Sequence, residues 1–237
     1  MRTPLPAILV ATLVAAAAVS ADATTIAQFT FDEGDLNAIA STDTDPNSTA
    51  GFVLNGPLGI GVADGAGNPA PGLIVSLPFS NAGELYQSAI ITLTPAAGFE
   101  LNLSSLQFDA SRFFGVEGVP TATYLAALRT NLDGFGSDVG TLSWTASHDT
   151  SDFVTLAIDL SAAAFQGLSV ADLAGVGGSL QLKFFFAMTS DPAIAGTNTF
   201  IDNILVNGTT TSVPEPVSAL LLATALAGGA ALRRRDR

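Results

Sequence analysis

The chain has 237 residues, 48% of them hydrophobic and only 12% charged, with 21 acidic residues against 8 basic for a net charge of −13. It contains no cysteine, which excludes a disulfide scaffold, thiol catalysis and Cys-ligated metal sites. The acidic balance argues against nucleic-acid binding, which needs clustered Lys and Arg to displace counterions.

In chain order, residues 1–23 have the pattern of a secretory signal peptide. Arg2 and the free amine give the positive start, and residues 8–19 form an apolar run of 12. Ala21-Asp22-Ala23 then offers small residues for cleavage after Ala23 or after Ala21. The run is short of the roughly 20 residues a membrane span takes.

The body follows, and its size suits one domain. Residues 24–213 hold eighteen acidic residues and only three basic ones, Arg112, Arg129 and Lys183, for a net of −15. Apolar residues recur there at period two, the mark of half-buried strands. Residues 25–32 place Ala27, Phe29 and Phe31 on one face, and Ala122, Tyr124, Ala126 and Leu128 alternate with polar neighbours. Residues 153–160 set Val154, Leu156, Ile158 and Leu160 against Thr155 and Asp159. Residues 180–188 set Leu180, Leu182, Phe184, Phe186 and Met188 against Gln181 and Lys183, and residues 199–207 close the series with Phe200, Ile204 and Val206. Shorter strands are expected at 51–54, 73–77, 89–94, 101–108 and 138–144.

Loops at 64–71 and 131–136 are marked by Gly, Asn, Asp and Pro. Residues 161–173 have room for a helical turn or two, with Ser169 and Asp172 as a short capping box. The Gly-rich stretch 59–65 precedes no helix and is read as turn glycine rather than a phosphate loop. Asp43-Thr44-Asp45-Pro46-Asn47 lacks the glycine and closing glutamate of an EF-hand and is read as a turn. Roughly ten short strands without a helical period predict an all-β fold, a β-sandwich of the jelly-roll kind.

No enzyme chemistry stands out. His148 is the sole imidazole, no G-x-S-x-G elbow surrounds a serine, and no His pair can hold zinc. No carboxylate pair is singled out for glycoside hydrolysis. The expectation is a non-enzyme without catalytic residues.

The C-terminus is tripartite. Pro214-Glu215-Pro216 precedes the uncharged residues 217–232, and Arg233-Arg234-Arg235-Asp236-Arg237 follows. An apolar segment closed by arginines is a stop-transfer pattern that keeps the arginines cytoplasmic. The prolines hold the strip before it extended. Residues 209–213 are expected as a polar spacer, so the domain is set at 24–208 and the tail at 214–237.

This order of parts resembles the PEP-CTERM sorting signal of Gram-negative bacteria with exopolysaccharide systems. The resemblance implies recognition by an exosortase-type membrane transpeptidase, with Pro214, Glu215, Pro216, Arg233, Arg234 and Arg235 as the sorting residues of a substrate. It also implies export, a stay in the inner membrane through a C-terminal transmembrane helix, and a final place at the cell surface or in the extracellular matrix.

The opening strand Phe29-Thr30-Phe31-Asp32-Glu33-Gly34 and the closing strand Phe200-Ile201-Asp202-Asn203-Ile204-Leu205-Val206 look like those of jelly-roll carbohydrate-binding modules. That similarity implies pairing of the first and last strands and one structural calcium ion held by Asp32 or Glu33 together with Asp202. Glycan binding would further use exposed aromatic faces. The platforms considered are Trp144, Tyr124 and Tyr86, with Arg112 or Arg129 as donors, although for Trp144, at the end of an apolar strand, packing against the opposite sheet is the preferred reading. The expected role is a structural or adhesive component of an exopolysaccharide or biofilm matrix. The alternative is a carbohydrate-binding, lectin-like module, with a glycoside hydrolase behind it.

Overall fold

The computed structural model describes residues 24–31, 41–43, 45–55, 60–63, 72–77, 87–113, 122–146, 153–189 and 197–213. The signal peptide, Asp32, Glu33, Tyr86, His148, loop 64–71 and everything from Pro214 onward lie outside these residues.

Thirteen strands are formed among the described residues: β1 Thr24–Phe29, β2 Ser41–Asp43, β3 Ser48–Asn55, β4 Ile60–Ala63, β5 Gly72–Leu77, β6 Gln87–Pro95, β7 Phe99–Phe113, β8 Ala122–Thr130, β9 Asp138–Ala146, β10 Val154–Asp159, β11 Leu168–Ser169, β12 Leu180–Thr189 and β13 Thr197–Ser212. They make two sheets. One has the order β10-β7-β13-β1-β2, with β11 also on β7, and β5 joining β4 to the start of β13; the other runs β3-β6-β12-β8-β9. Each strand pair is antiparallel. The chain passes back and forth between the sheets, so the molecule is an all-β sandwich.

The core lies between the sheets and follows the period-two pattern. From β12, Leu180, Leu182, Phe184 and Phe186 point inward, meeting Ile91 and Leu93 of β6 and Tyr124, Ala126 and Leu128 of β8. The facing sheet contributes Leu101, Leu103, Leu106 and Phe108 of β7. Aromatic edges lock the layers: Phe108 meets Phe184 edge-on at 5.5 Å, and Phe52 of β3 meets Phe29 and Phe31 at 5.5 and 5.7 Å. Burying one such ring is worth about 1.5–3 kcal/mol.

Bulges keep long strands facing inward where the alternation slips. In the β7–β13 ladder Asn207 pairs with Ser105 and Gly208 with Leu103, which moves the inward set of β7 from Leu101 and Leu103 to Leu106 and Phe108. A second irregularity, between Asp202 and Leu205, has a similar effect on β13. Ile201, rather than Phe200, therefore joins Ile204 and Val206 in the central cluster. An irregularity between Thr25 and Ala27 buries both Ile26 and Ala27. Gly208 is required at its crossing, because a Cβ there would meet the Asn102 carbonyl oxygen and come within 2.9 Å of Leu103 Cα.

The first and last strands do pair, Phe29 with Ile204 and Gln28 with Leu205. Two sequence expectations are corrected. Thr209–Ser212 are not a spacer: they continue β13 and pair with Asn102, Leu101, Glu100 and Phe99 of β7, and the Val213 N–H donates to the Gly98 carbonyl. Within the Gly-rich stretch, Ile60–Ala63 form β4 and pair with β5; glycines at this spacing are tolerated in a short edge strand.

Loop chemistry follows the sequence more closely. Ser169 and Asp172 close their capping box: the Ser169 N–H donates to Asp172 Oδ2 at 3.0 Å and the Asp172 N–H to Ser169 Oγ at 3.3 Å. One helical turn results, the Leu173 N–H bonding the Ser169 carbonyl at 3.1 Å. Asp45 ends its turn by accepting from the Asn47 N–H at 2.9 Å. Asn131, nine-tenths buried, fastens the β8–β9 loop to the chain entering β12. Its amide donates to the carbonyls of Val176 and Ser179, and its oxygen accepts from the Gln181 N–H at 2.9 Å.

Candidate functional site

Alternation that sends Leu182, Phe184 and Phe186 inward sends Gln181, Lys183 and Phe185 to the outer face of the five-stranded sheet. Register then decides their neighbours. Val53, Ile90, Lys183, Arg129 and Asp138 stand in one row across all five strands. The next row along contains Phe185 opposite Ala127. Val53 is 59% exposed, while Ile90, Leu125 and Phe185 are half-buried.

Phe185 is the centre of this face. The Arg129 guanidinium carbon and the Lys183 ammonium each lie 4.9 Å from its ring centroid. Lys183 also sits 5.5 Å from the ring of Phe135, which stands at φ +64° directly after the left-handed Gly134. Such contacts are worth about 0.5–1 kcal/mol each at exposed sites. They offset the repulsion of two like charges placed opposite each other on adjacent strands. Asp138 offsets it further, its Oδ1 accepting from Arg129 Nε at 2.6 Å. The result is a shallow aromatic and aliphatic surface rimmed by cationic hydrogen-bond donors.

Sequence reasoning named Arg129 as a donor but passed over Phe185 and Lys183. The signal was present: in Phe184-Phe185-Phe186 the middle ring shares its parity with Gln181 and Lys183, and so cannot be core if its neighbours are.

Trp144 packs against the opposite sheet, as its place in the sequence favours, and Tyr124 lies buried beside it. Trp144 is 4% exposed and Tyr124 fully buried; the two rings stack at 5.5 Å and 19°, and Trp144 turns an edge to Phe108 at 6.2 Å. Their faces are spent on the core, so neither presents a surface to a sugar ring. Cross-strand pairing of Tyr124 with Trp144 puts both on the inward side of the sheet. Arg112 lies in β7 opposite Thr199, on the other sheet from Arg129.

Asp202 sits in the bulge of β13, fully buried and in register with Asp109 of β7. Asn203 takes φ +48°, which Asn tolerates better than most residues. Its N–H donates to Asp202 Oδ1 at 2.8 Å, and its amide to Asp109 Oδ2 at 3.1 Å. Thr155 of β10 donates to Asp109 Oδ1 at 2.6 Å. Two carboxylates on one face of a ladder are oxygen donors of the kind calcium takes. Among the described residues no group of three or more acidic, His or Cys side chains gathers around them, and Asp32 and Glu33 lie outside those residues.

No family model and no curated protein sequence matches the chain. Among solved structures it is similar to the CBM22-1 xylan-binding domain of Xyn10C from Paenibacillus barcinonensis, with 13% identity, 78% of this chain and 94% of that one covered, and a TM-score of 0.43. It is similar to CBM28, a carbohydrate-binding module specific for non-crystalline cellulose, at 10% identity over 76% and 94% of the two chains, TM-score 0.45. A family 22 module of Xyn10B from Clostridium thermocellum matches at 17% identity over 80% and 97%, TM-score 0.40.

Proposed function

We propose that the chain is an exported polysaccharide-binding β-sandwich that holds its ligand on the outer face of the five-stranded sheet. The observation that carries this reading is Phe185, a half-buried ring on the outer face, flanked at 4.9 Å by both Arg129 and Lys183. A sugar ring offers an apolar C–H face and a rim of hydroxyls; an aromatic platform with donors at its edge answers both. The capped and paired strands around it hold the platform rigid, which limits the entropy lost on binding.

The ends of the chain supply the setting. The N-terminal pattern supports export, and the Pro-Glu-Pro, apolar and arginine parts of the tail support sorting by an exosortase-type transpeptidase toward the cell surface or matrix. β13 runs to Ser212 and the Val213 N–H donates to the Gly98 carbonyl, so the sandwich reaches the residue before the Pro-Glu-Pro sequence. A structural or adhesive part in an exopolysaccharide matrix is then what a polysaccharide-binding domain does at that place. A calcium ion at Asp202 belongs to the same proposal: Asp202→Ala should abolish a calcium-induced rise in melting temperature, and a rise that survives it would place the ion elsewhere.

The test is calorimetric titration of the full chain, in mild detergent, with a panel of soluble neutral and acidic polysaccharides. Binding that Phe185→Ala removes and Val154→Ala, on the opposite sheet, leaves intact is the expected result. Silence toward every polysaccharide from a folded sample would overturn the reading.

A further inference from the structure

Resting on that reading of the outer face, we infer that its ligand is an anionic polysaccharide, one whose sugars carry carboxylates. The domain has eighteen acidic and three basic residues, and two of the three bases, Arg129 and Lys183, are direct cross-strand partners on this face. A fold under no demand for positive charge here would gain by separating them, since like charges opposite each other destabilise a ladder.

Their charges are incompletely answered. Asp138 engages Arg129 through Nε alone, and the guanidinium has further N–H donors in its fork. Lys183 has no carboxylate partner among the described residues; its ammonium rests on the rings of Phe185 and Phe135. Arg129 is 28% exposed and Asp138 38%, so the rim is open to a ligand. A carboxylate seated between Arg129 and Lys183 would take charge-assisted hydrogen bonds from both. The sugar ring bearing it would lie over Phe185, with the apolar Ile90 and Val53 in the adjacent row, beyond Lys183.

The rest of the domain sharpens the choice. A net charge of −15 repels polyanions at long range, so an acidic ligand is held by local contact within roughly one Debye length, about 8 Å. Two cations are also too few to replace the counterions of a nucleic acid.

The experiment compares polygalacturonate with the same polymer after carboxyl reduction, and with single-stranded DNA, by calorimetric titration of the full chain in detergent. Polygalacturonate should bind about ten-fold or more tightly than the reduced polymer, as charge-assisted bonds allow. Lys183→Gln should narrow the difference between the two polymers, while the loss of its two ring contacts lowers the melting temperature by only about 2–8 °C. Equal binding of both polymers, removed by Phe185→Ala, would overturn the anionic preference while leaving polysaccharide binding in place. Binding of DNA as tight as polygalacturonate would overturn it in favour of a general polyanion site. No binding to either polymer by folded protein would overturn the anionic preference if a neutral polysaccharide of the panel still binds, and would remove both readings if the whole panel is silent.

Discussion

Phe184 and Phe185 are adjacent in β12, and replacing each by alanine should have opposite consequences. Phe184 is 1% exposed, meets Phe108 edge-on at 5.5 Å and stacks on Phe186 at 5.8 Å. Truncating a ring so placed costs about 3–5 kcal/mol, because the cavity cannot collapse between two sheets. For a domain of this size each kcal/mol moves the melting temperature by about 2–4 °C, so Phe184→Ala should lower it by about 6–20 °C. Phe185 is half-buried on the outer face and loses two cation–π contacts of about 0.5–1 kcal/mol each, so its truncation should cost about 2–8 °C. Polysaccharide affinity should fall sharply in Phe185→Ala and persist in Phe184→Ala while the protein stays folded. Differential scanning calorimetry and titration of the same samples read both quantities. Equal melting shifts would refute the assignment of faces, and unchanged affinity in Phe185→Ala would refute the site.

Three further outcomes follow from the packing. A Cβ on Gly140 would lie 2.7 Å from Ile158 Cγ2, so Gly140→Ala should destabilise by about 1–3 kcal/mol. In an Ile158→Ala background the same change should cost almost nothing; additive losses in the double-mutant cycle would contradict the contact. Asn131→Ala strips three backbone partners from a nearly buried site and should cost about 2–4 kcal/mol in denaturant titration; a loss under about 0.5 kcal/mol would mean water replaces the amide. The Ser169 hydroxyl and then its N–H hold the Asp172 carboxyl below its ordinary 3.8, and the Ser161 N–H and then its hydroxyl do the same for Asp159. A depressed folded value means stability that is present above the ordinary value and lost as pH falls through the folded one. Asp172→Asn with Asp159→Asn should therefore flatten the acid limb of melting temperature against pH; an unaltered limb would place that dependence on other carboxylates.

Strands with one buried and one wet face were legible because burial imposes period two on residue choice: β12 shows Leu180, Leu182, Phe184 and Phe186 inward as the alternation requires. Bulges were not legible. Nothing local in Asp202-Asn203-Ile204-Leu205 announces that the count slips there, since the slip is set by pairing with β7 a hundred residues away. Residues 209–212 looked like a spacer for a related reason: four small polar residues satisfy a strand whose side chains face water, and only the partner strand distinguishes the two states. Trp144 was legible as a core residue from its place at the end of an apolar strand, though its partners were not. Aromatic residues suit both a platform and a core, and its choice of the core depends on Tyr124 and Phe108 coming to meet it. Phe185 was hidden by its neighbours, because three consecutive phenylalanines read as apolar until parity is applied to each.

Hydroxyl-radical footprinting of the full chain, with and without polygalacturonate, tests the central claim most directly, since exposed Val53 and half-buried Phe185 report on the five-stranded face while Val154, 41% exposed, reports on the opposite sheet. Oxidation of Phe185 and Val53 should fall on binding while that of Val154 holds. Protection of Val154 with Phe185 still reactive would put the ligand on the other sheet and contradict the account.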